Sequence, residues 1–258
     1  PGSPTVTHRV LSHFRDKRGL ERSYAYTYDS SDSFTGNLKR LVLHGDVTGD
    51  GVDDSAQNQT TFIYNDLDQV VKTILPAYKA GAKQSVLYVD YGSPANGALS
   101  GTDPEKPGYK AYLYKAREVK SYYTSNPTVD LSEPAASDLY KQQKFYYLQR
   151  GAVHGLLGFS EERDAAGTLL SQSGAAYDSR GHRIRSDAYP LDGTGALSTH
   201  YRHNDKGEVV AVIDPAGRTT RNTYDIIGRL IKVEQYANES ATVPLAWGMT
   251  YYLSLIHI

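Results

Sequence analysis

Asp214-Pro215-Ala216-Gly217-Arg218, followed by Tyr224-Asp225-Ile226-Ile227-Gly228-Arg229-Leu230, is the stretch on which the reading of this chain turns. Tyr suits a half-buried strand, where its ring packs and its hydroxyl stays wet. The Asp after it can accept a hydrogen bond from the backbone two residues on and so start a turn. Gly supplies the positive φ that closes such a turn. Arg229-Leu-Ile-Lys-Val233 then alternates polar and apolar, the period of a returning strand. Each copy therefore spells strand, short turn, strand, which is a β-hairpin.

The phrase recurs. Tyr177-Asp178-Ser179-Arg180-Gly181-His182-Arg183 is a second copy, and His203-Asn204-Asp205-Lys206-Gly207-Glu208-Val209 a third, with His in place of Tyr. Tyr64-Asn65-Asp66-Leu67-Asp68-Gln69-Val70 keeps the aromatic and turn residues but carries Asp68 where Gly is expected, and Asp tolerates the left-handed region better than most residues. Arg163-Asp164-Ala165-Ala166-Gly167 and Arg15-Asp16-Lys17-Arg18-Gly19 keep Asp and Gly without Tyr, and Tyr28-Asp29 reaches Gly36-Asn37-Leu38 through a lengthened turn. Copies starting at 163, 177, 203 and 224 are separated by 14, 26 and 21 residues, so the array is irregular. Internal repetition of this kind points to a structural array and away from a single catalytic pocket.

The pairing of Asp214-Pro-Ala-Gly-Arg218 with Tyr224-Asp-Ile-Ile-Gly-Arg-Leu230 resembles the YD-repeat, or RHS-repeat, family. Residues 201–235 follow its pattern almost completely, 160–190 loosely and 60–76 more loosely still. The resemblance implies an all-β fold, an irregular array of antiparallel β-hairpins forming a strip that is part of a spiralling shell. In bacterial members such a shell encloses a C-terminal toxin polypeptide. The implied partners are thus the remainder of the chain's own shell and an encapsulated C-terminal toxin domain, and the implied setting is secreted or at the bacterial cell surface. The region that closes such shells, with any self-cleaving aspartate pair in it, has no match here.

Composition agrees with extended, thin-layered structure. The 258 residues include 22 Tyr against 5 Phe and 1 Trp, and only 39% are hydrophobic. A dense globular core asks for more Phe, Leu and Ile. Net charge is −1 and the isoelectric point is about 6.8, so neither nucleic acid nor an anionic membrane is an implied partner. With no cysteine, disulfides and thiolate metal sites are excluded. No apolar run approaches the roughly 18 residues that span a bilayer as a helix. The chain opens Pro1-Gly-Ser-Pro4 without Met and is expected to be a segment of a longer protein; Leu253-Ser-Leu-Ile-His-Ile258 is read as a truncated strand or a sequence artefact.

Along the chain, residues 1–124 read as a β-rich segment of degenerate repeats, 125–150 as a loop and connecting segment, 151–240 as the YD repeats and 241–258 as a truncated or atypical tail. Within the first segment, Ser23–Tyr28 alternates strictly, Leu38–His44 and Val86–Tyr91 read as strands, and Ser93–Gly108 reads as a loop. Tyr109–Tyr123 is expected to form strands, while Leu139–Leu148 fits helix and strand alike.

One stretch carries the chemistry of an ion site. Asp46-Val47-Thr48-Gly49-Asp50-Gly51-Val52-Asp53-Asp54 places oxygen side chains at relative positions 1, 3, 5 and 9, with Gly at 6. That is the spacing of a calcium loop. Asp46, Thr48, Asp50 and Asp54 are the candidate side-chain ligands and Val52 the candidate carbonyl, with Ca2+ the candidate ion. Gln57 stands where an EF-hand carries a bidentate Glu, so the loop is more similar to the calcium loops between strands of integrin-type propellers. A plain acidic Asp-Gly turn is the alternative.

Enzyme signatures are lacking: there is no His-Glu-x-x-His, Walker loop or Gly-x-Ser-x-Gly. His200 and His203 lie close in sequence, but their odd separation puts them on opposite faces of a strand. The expected function is structural and non-enzymatic, a segment of a YD-repeat shell enclosing or presenting a C-terminal effector. The alternative is a calcium-binding adhesion or carbohydrate-binding β module whose Tyr rows stack on cell-surface glycans.

Overall fold

The computed structural model describes residues 12–15, 21–28, 34–46, 53, 55, 58–77, 81–92, 100–102, 109–112, 114–149 and 153–249. These residues are all-β. They form strands β1 (His13–Arg15), β2 (Glu21–Tyr28), β3 (Phe34–His44), β4 (Gln59–Tyr64), β5 (Val70–Ile74), β6 (Gln84–Asp90), β7 (Ser100–Thr102), β8 (Lys110–Tyr112) and β9 (Glu118–Thr124). They continue with β10 (Leu139–Tyr147), β11 (Leu157–Asp164), β12 (Leu169–Tyr177), β13 (Arg183–Tyr189) and β14 (Leu197–His203), and end with β15 (Val209–Ile213), β16 (Thr219–Tyr224), β17 (Leu230–Tyr236) and β18 (Ala246–Met249). A short 3-10 turn, Ala136–Asp138, leads into β10.

The strands fall into two compact units. One comprises residues 1–92, 114–143 and 164–166, the other 93–113, 144–163 and 167–258. In the first, β1 through β6 pair antiparallel in chain order, and β9 completes the strip on β6. In the second, β11 through β18 do the same, each strand with its sequence neighbour. Neighbour-to-neighbour pairing is what a chain of hairpins must give, and the turn chemistry read from the sequence supplies those hairpins.

Most expectations for individual strands hold. Residues 57–76 contain the hairpin β4–β5, and Leu139–Tyr147, which fits helix and strand alike in sequence, is β10. Ser93–Gly108 is not wholly loop: Ser100–Thr102 pairs with Lys110–Tyr112 as a small hairpin. Ser-Gly-Thr has no apolar alternation, and here the pairing of backbone groups alone makes the strand. Ser23–Tyr28 lies within β2, whose register against β3 shifts at Ala25/Tyr26 and Tyr26/Tyr28.

The first unit has a small core. Ile74, Val86 and Tyr122 are almost wholly buried, and Ile63, Tyr88 and Leu139 pack around them. Residues 125–138, loop-like in sequence, cover this region. Lys72 has no exposed surface; its Nζ donates to the Thr128 carbonyl at 3.2 Å and meets Asp130 Oδ1 at 3.4 Å. Asp130 also accepts from the Thr128 hydroxyl at 2.9 Å, the Ser132 backbone N–H at 2.9 Å and the Ser132 hydroxyl. These bonds, the Ser132 hydroxyl foremost, hold its carboxyl well below the usual carboxylate range. The Tyr122 hydroxyl donates to Glu133, and Lys120 reaches the same carboxylate at 2.9 Å. Polar tethers therefore fasten the segment over the sheet, because a buried ammonium must find acceptors.

The second unit has little conventional core. Tyr146 and Tyr236 are its buried large side chains among the described residues. An aromatic row, Tyr109, Tyr146, Phe159 and Tyr189, runs with ring centroids 5.9, 5.8 and 5.9 Å apart. Gly174, paired with Phe159, leaves the space in which Tyr189 lies: a Cβ there meets the Tyr189 hydroxyl at 3.2 Å. The ring covers sheet that the glycine leaves bare.

Lys72→Ala removes both the buried tether and its packing. Stability is expected to drop by about 2 kcal/mol in chemical unfolding, and residues 125–138 to become the fastest site of limited proteolysis. Unchanged protection of that segment would show that Lys72 does not hold it.

Candidate functional site

The feature that recurs in this molecule is the closed turn at the end of each YD copy and its junction with the next. In Asp225–Arg229, the Asp225 N–H donates to the Arg229 carbonyl at 2.9 Å and the Gly228 N–H to the Asp225 carbonyl at 3.1 Å. Asp225 Oδ1 accepts from the backbone N–H groups of Ile227 at 3.1 Å and Arg229 at 2.8 Å. Asp225 Oδ2 accepts from Arg229 Nε at 2.6 Å. One carboxylate thus closes the turn by satisfying two backbone donors and one side chain. The Arg229 N–H leads the causes that hold the Asp225 carboxyl below its ordinary value.

The same two backbone bonds close the turns at 65–69, 178–182, 204–208 and 214–218. The fourth turn residue has positive φ in all of them, 86° at Gly228 and 58° at Asp68, the latter the one non-glycine with positive φ among the described residues. The register shifts one residue before the turn, at Ile63/Tyr64, Ala176/Tyr177, Arg202/His203 and Thr223/Tyr224. This is the three-residue hairpin loop with a bulge at the left-handed position.

The first and fifth turn residues are chemically matched. Asp214 pairs with Arg218 at 2.7 Å and Asp225 with Arg229 at 2.6 Å. Asp178 meets His182 Nδ1 at 3.1 Å. Where Asn replaces Asp, the fifth residue changes too: Asn204 Nδ2 donates to Glu208 at 2.6 Å, and Asn65 Nδ2 to Gln69 at 2.8 Å. An amide donor needs an acceptor where a carboxylate needs a donor. The complementarity is present in the sequence, five residues from first to last of each turn, but nothing in periodicity or turn propensity singles it out.

The tyrosine before the turn ties one repeat to the last. The Tyr224 hydroxyl donates to the Val209 carbonyl at 3.0 Å, Tyr177 to Leu157 at 2.9 Å and Tyr64 to Leu38 at 2.9 Å. Tyr91 makes the equivalent bond to Val70 at 2.9 Å. Val209, Leu157 and Val70 each begin a strand, and Leu38 lies within β3. Turn tips also touch: Lys206 Nζ donates to the Ile226 carbonyl at 2.8 Å, and a Cβ on Gly228 meets Glu208 Oε1 at 2.9 Å.

His203 occupies the tyrosine position of the third copy. Its ring stacks on His182, with centroids 5.1 Å apart and planes 24° from parallel. His200 and His203 both line one hollow of about 570 Å3 with Arg185, Arg202 and Glu239; the register shift beside them leaves Val210 of β15 as the extra residue. No group of three or more His, Asp or Glu among the described residues is arranged to hold a metal.

Of the candidate calcium ligands, Asp46 is described and follows β3, exposed. Thr48, Asp50, Val52 and Asp54 lie outside the described residues. Asp53, between them and Ser55, accepts from the Ser55 N–H at 2.8 Å and from the Ser55 hydroxyl, which in turn accepts from the Gly45 N–H at 3.3 Å. The Ser55 hydroxyl is the main cause that keeps the Asp53 carboxyl low.

No protein-family model matches the chain, and no curated protein does. Among solved structures it is similar to a porin-like protein from Bacteroides uniformis, at 12% identity and a TM-score of 0.34 over 86% of each chain. It is also similar to a chain of the Photorhabdus luminescens Tc holotoxin pore, at 13% identity and a TM-score of 0.30 over 93% of this chain and 14% of that one. A complex of TcdB2, TccC3 and Cdc42 aligns at 15% identity and a TM-score of 0.25, over 83% of this chain and 12% of that one. This chain thus spans about one seventh or less of the toxin-complex chains it aligns with.

Two outcomes follow for the turns. Gly228→Val forces a β-branched residue to positive φ and is expected to cost about 1–3 kcal/mol, read as a lower thermal midpoint. Asn204→Asp sets a carboxylate against Glu208 and is expected to cost about 1 kcal/mol; adding Glu208→Arg restores the Asp–Arg pairing of the other turns. A double-mutant cycle without coupling would show that the pair is incidental.

Proposed function

We propose that this chain is a structural segment of a YD/RHS-repeat shell of a secreted bacterial toxin or surface protein, enclosing or presenting a C-terminal effector. The observation that carries the reading is the repeated junction: the same closed turn recurs in both units among hairpins paired in chain order, and at three of these turns a tyrosine hydroxyl ties back to the preceding repeat. Such a device propagates a sheet without limit and gives each new hairpin the same relation to the last. It builds wall, and wall is what a shell needs. The small core and the many exposed apolar side chains agree with a surface that more of the same protein covers, Trp247 and Val243 among them.

In this reading the partners are the rest of the shell and the enclosed polypeptide, and the chain does no chemistry of its own. Reproducible turnover on glycan, peptide or ester substrates, abolished by a single point change, would overturn the non-enzymatic assignment.

The test uses the longer natural protein. Protease is expected to spare the polypeptide downstream of this chain while the shell is folded, and to digest it once Gly228→Val and equivalent turn changes open the wall. Digestion of the intact protein at the rate of the free effector would exclude enclosure.

We further propose that the loop at 46–54 binds Ca2+ through Asp46, Thr48, Asp50, Asp54 and the Val52 carbonyl, on the spacing of its oxygen donors. Calorimetry is expected to show one weak to moderate site that Asp50→Ala abolishes. No heat at about millimolar Ca2+ would reduce the loop to an acidic turn.

A further inference from the structure

We infer that the seam between β13 and β14 is an acid-sensitive joint: protonation of His182 and His203 parts it while the tyrosine-tied seams hold. The inference concerns this chain whether or not it walls a shell. It starts from the substitution of His203 at a position filled by tyrosine in the neighbouring copies. There the hydroxyl ties the strand to the carbonyl that follows the preceding turn. The β13–β14 register places Arg183 beside Arg202, so the Arg183 carbonyl is the acceptor that such a tie would use. Imidazole is too short to reach it as a phenol does. Its ring lies on His182 instead, 5.1 Å away and nearly parallel. Its Nδ1 is buried with no hydrogen-bond partner.

A neutral imidazole tolerates this place, because an unprotonated ring nitrogen needs only to accept. A proton on His203 makes both nitrogens donors, and the buried one then lacks an acceptor. It also sets a cation face to face with a second imidazole.

The surrounding charges do not relieve this. Asp178 is the nearest carboxylate, and it already serves His182 at 3.1 Å and the turn's backbone N–H groups. Across the hollow, Arg185 is paired with Asp187 at 3.0 Å and Arg202 with Glu239 at 2.9 Å. On the following turn, Glu208 accepts from Asn204, Lys206 reaches the Ile226 carbonyl, and Asp205 faces Arg180 at 3.9 Å. Arg183 lies over the Tyr201 ring at 5.0 Å. The two arginines of the hollow are thus already paired with carboxylates, and no acceptor faces the buried His203 Nδ1.

Amide hydrogen exchange of the whole chain, corrected for intrinsic exchange, reads the seam directly. Opening of Arg183–Tyr189 and Leu197–His203 is expected to rise about tenfold or more between about pH 7.5 and about pH 5.5. The amides of β15, β16 and β17 serve as the internal control and should not follow. His203→Tyr supplies the missing hydroxyl and is expected to abolish the response. His182→Gln removes the second cation and is expected to reduce it. A response equal in the two variants and the natural chain, or no response in the natural chain, overturns the inference.

Discussion

A single oxygen atom at the start of each turn is the constraint on which this molecule depends. Oδ1 of Asp or Asn accepts two backbone N–H groups, two and four residues on, and so fixes the length of the loop at three residues. Loop length sets the register of the two strands beside the turn, and register decides which side chains face each way. A hairpin set in this way does not need a deep core to know its pairing. The second unit shows the consequence, with ordered strands and few wholly buried apolar side chains.

The fifth turn residue completes that constraint from the side. Arg, His, Glu and Gln occupy the position, and each is the one that complements the first residue opposite it. Exposed ion pairs contribute little by themselves. Here the pair also holds the carboxylate whose other oxygen accepts the two backbone N–H groups of the turn. Tyrosine then converts a local hairpin into an array, because its hydroxyl spends its hydrogen bond on the preceding repeat. A phenylalanine fills the same volume and makes no tie, which is why Tyr64, Tyr91, Tyr177 and Tyr224 are tyrosines.

The first unit solves its burial differently. A small apolar cluster is closed over by residues 125–138, and the fastenings are charges: Lys72 on Thr128 and Asp130, and Lys120 and Tyr122 on Glu133. Such a cover demands specific partners, because an ammonium without exposed surface has no water to fall back on. The array can therefore absorb a long connection without losing the sheet beneath it.

Sequence alone determined the hairpins. Tyr224-Asp225-Ile226-Ile227-Gly228-Arg229-Leu230 specifies strand, turn and strand through short-range forces, and the left-handed residue at Asp68 follows from the same template. The strand pairs could be read because adjacent elements of a hairpin array are neighbours in the chain. Tertiary structure decided the rest. That Lys72 is buried under Thr128 depends on a partner far away in sequence, and that Leu139–Tyr147 is a strand is settled by its place in the sheet. The tyrosine ties escaped because their acceptors are backbone carbonyls, which every residue carries and no sequence marks. Neither the stacking of His203 on His182 nor the hollow that His203 shares with His200 is marked in the sequence, because both depend on strands that meet only in the fold.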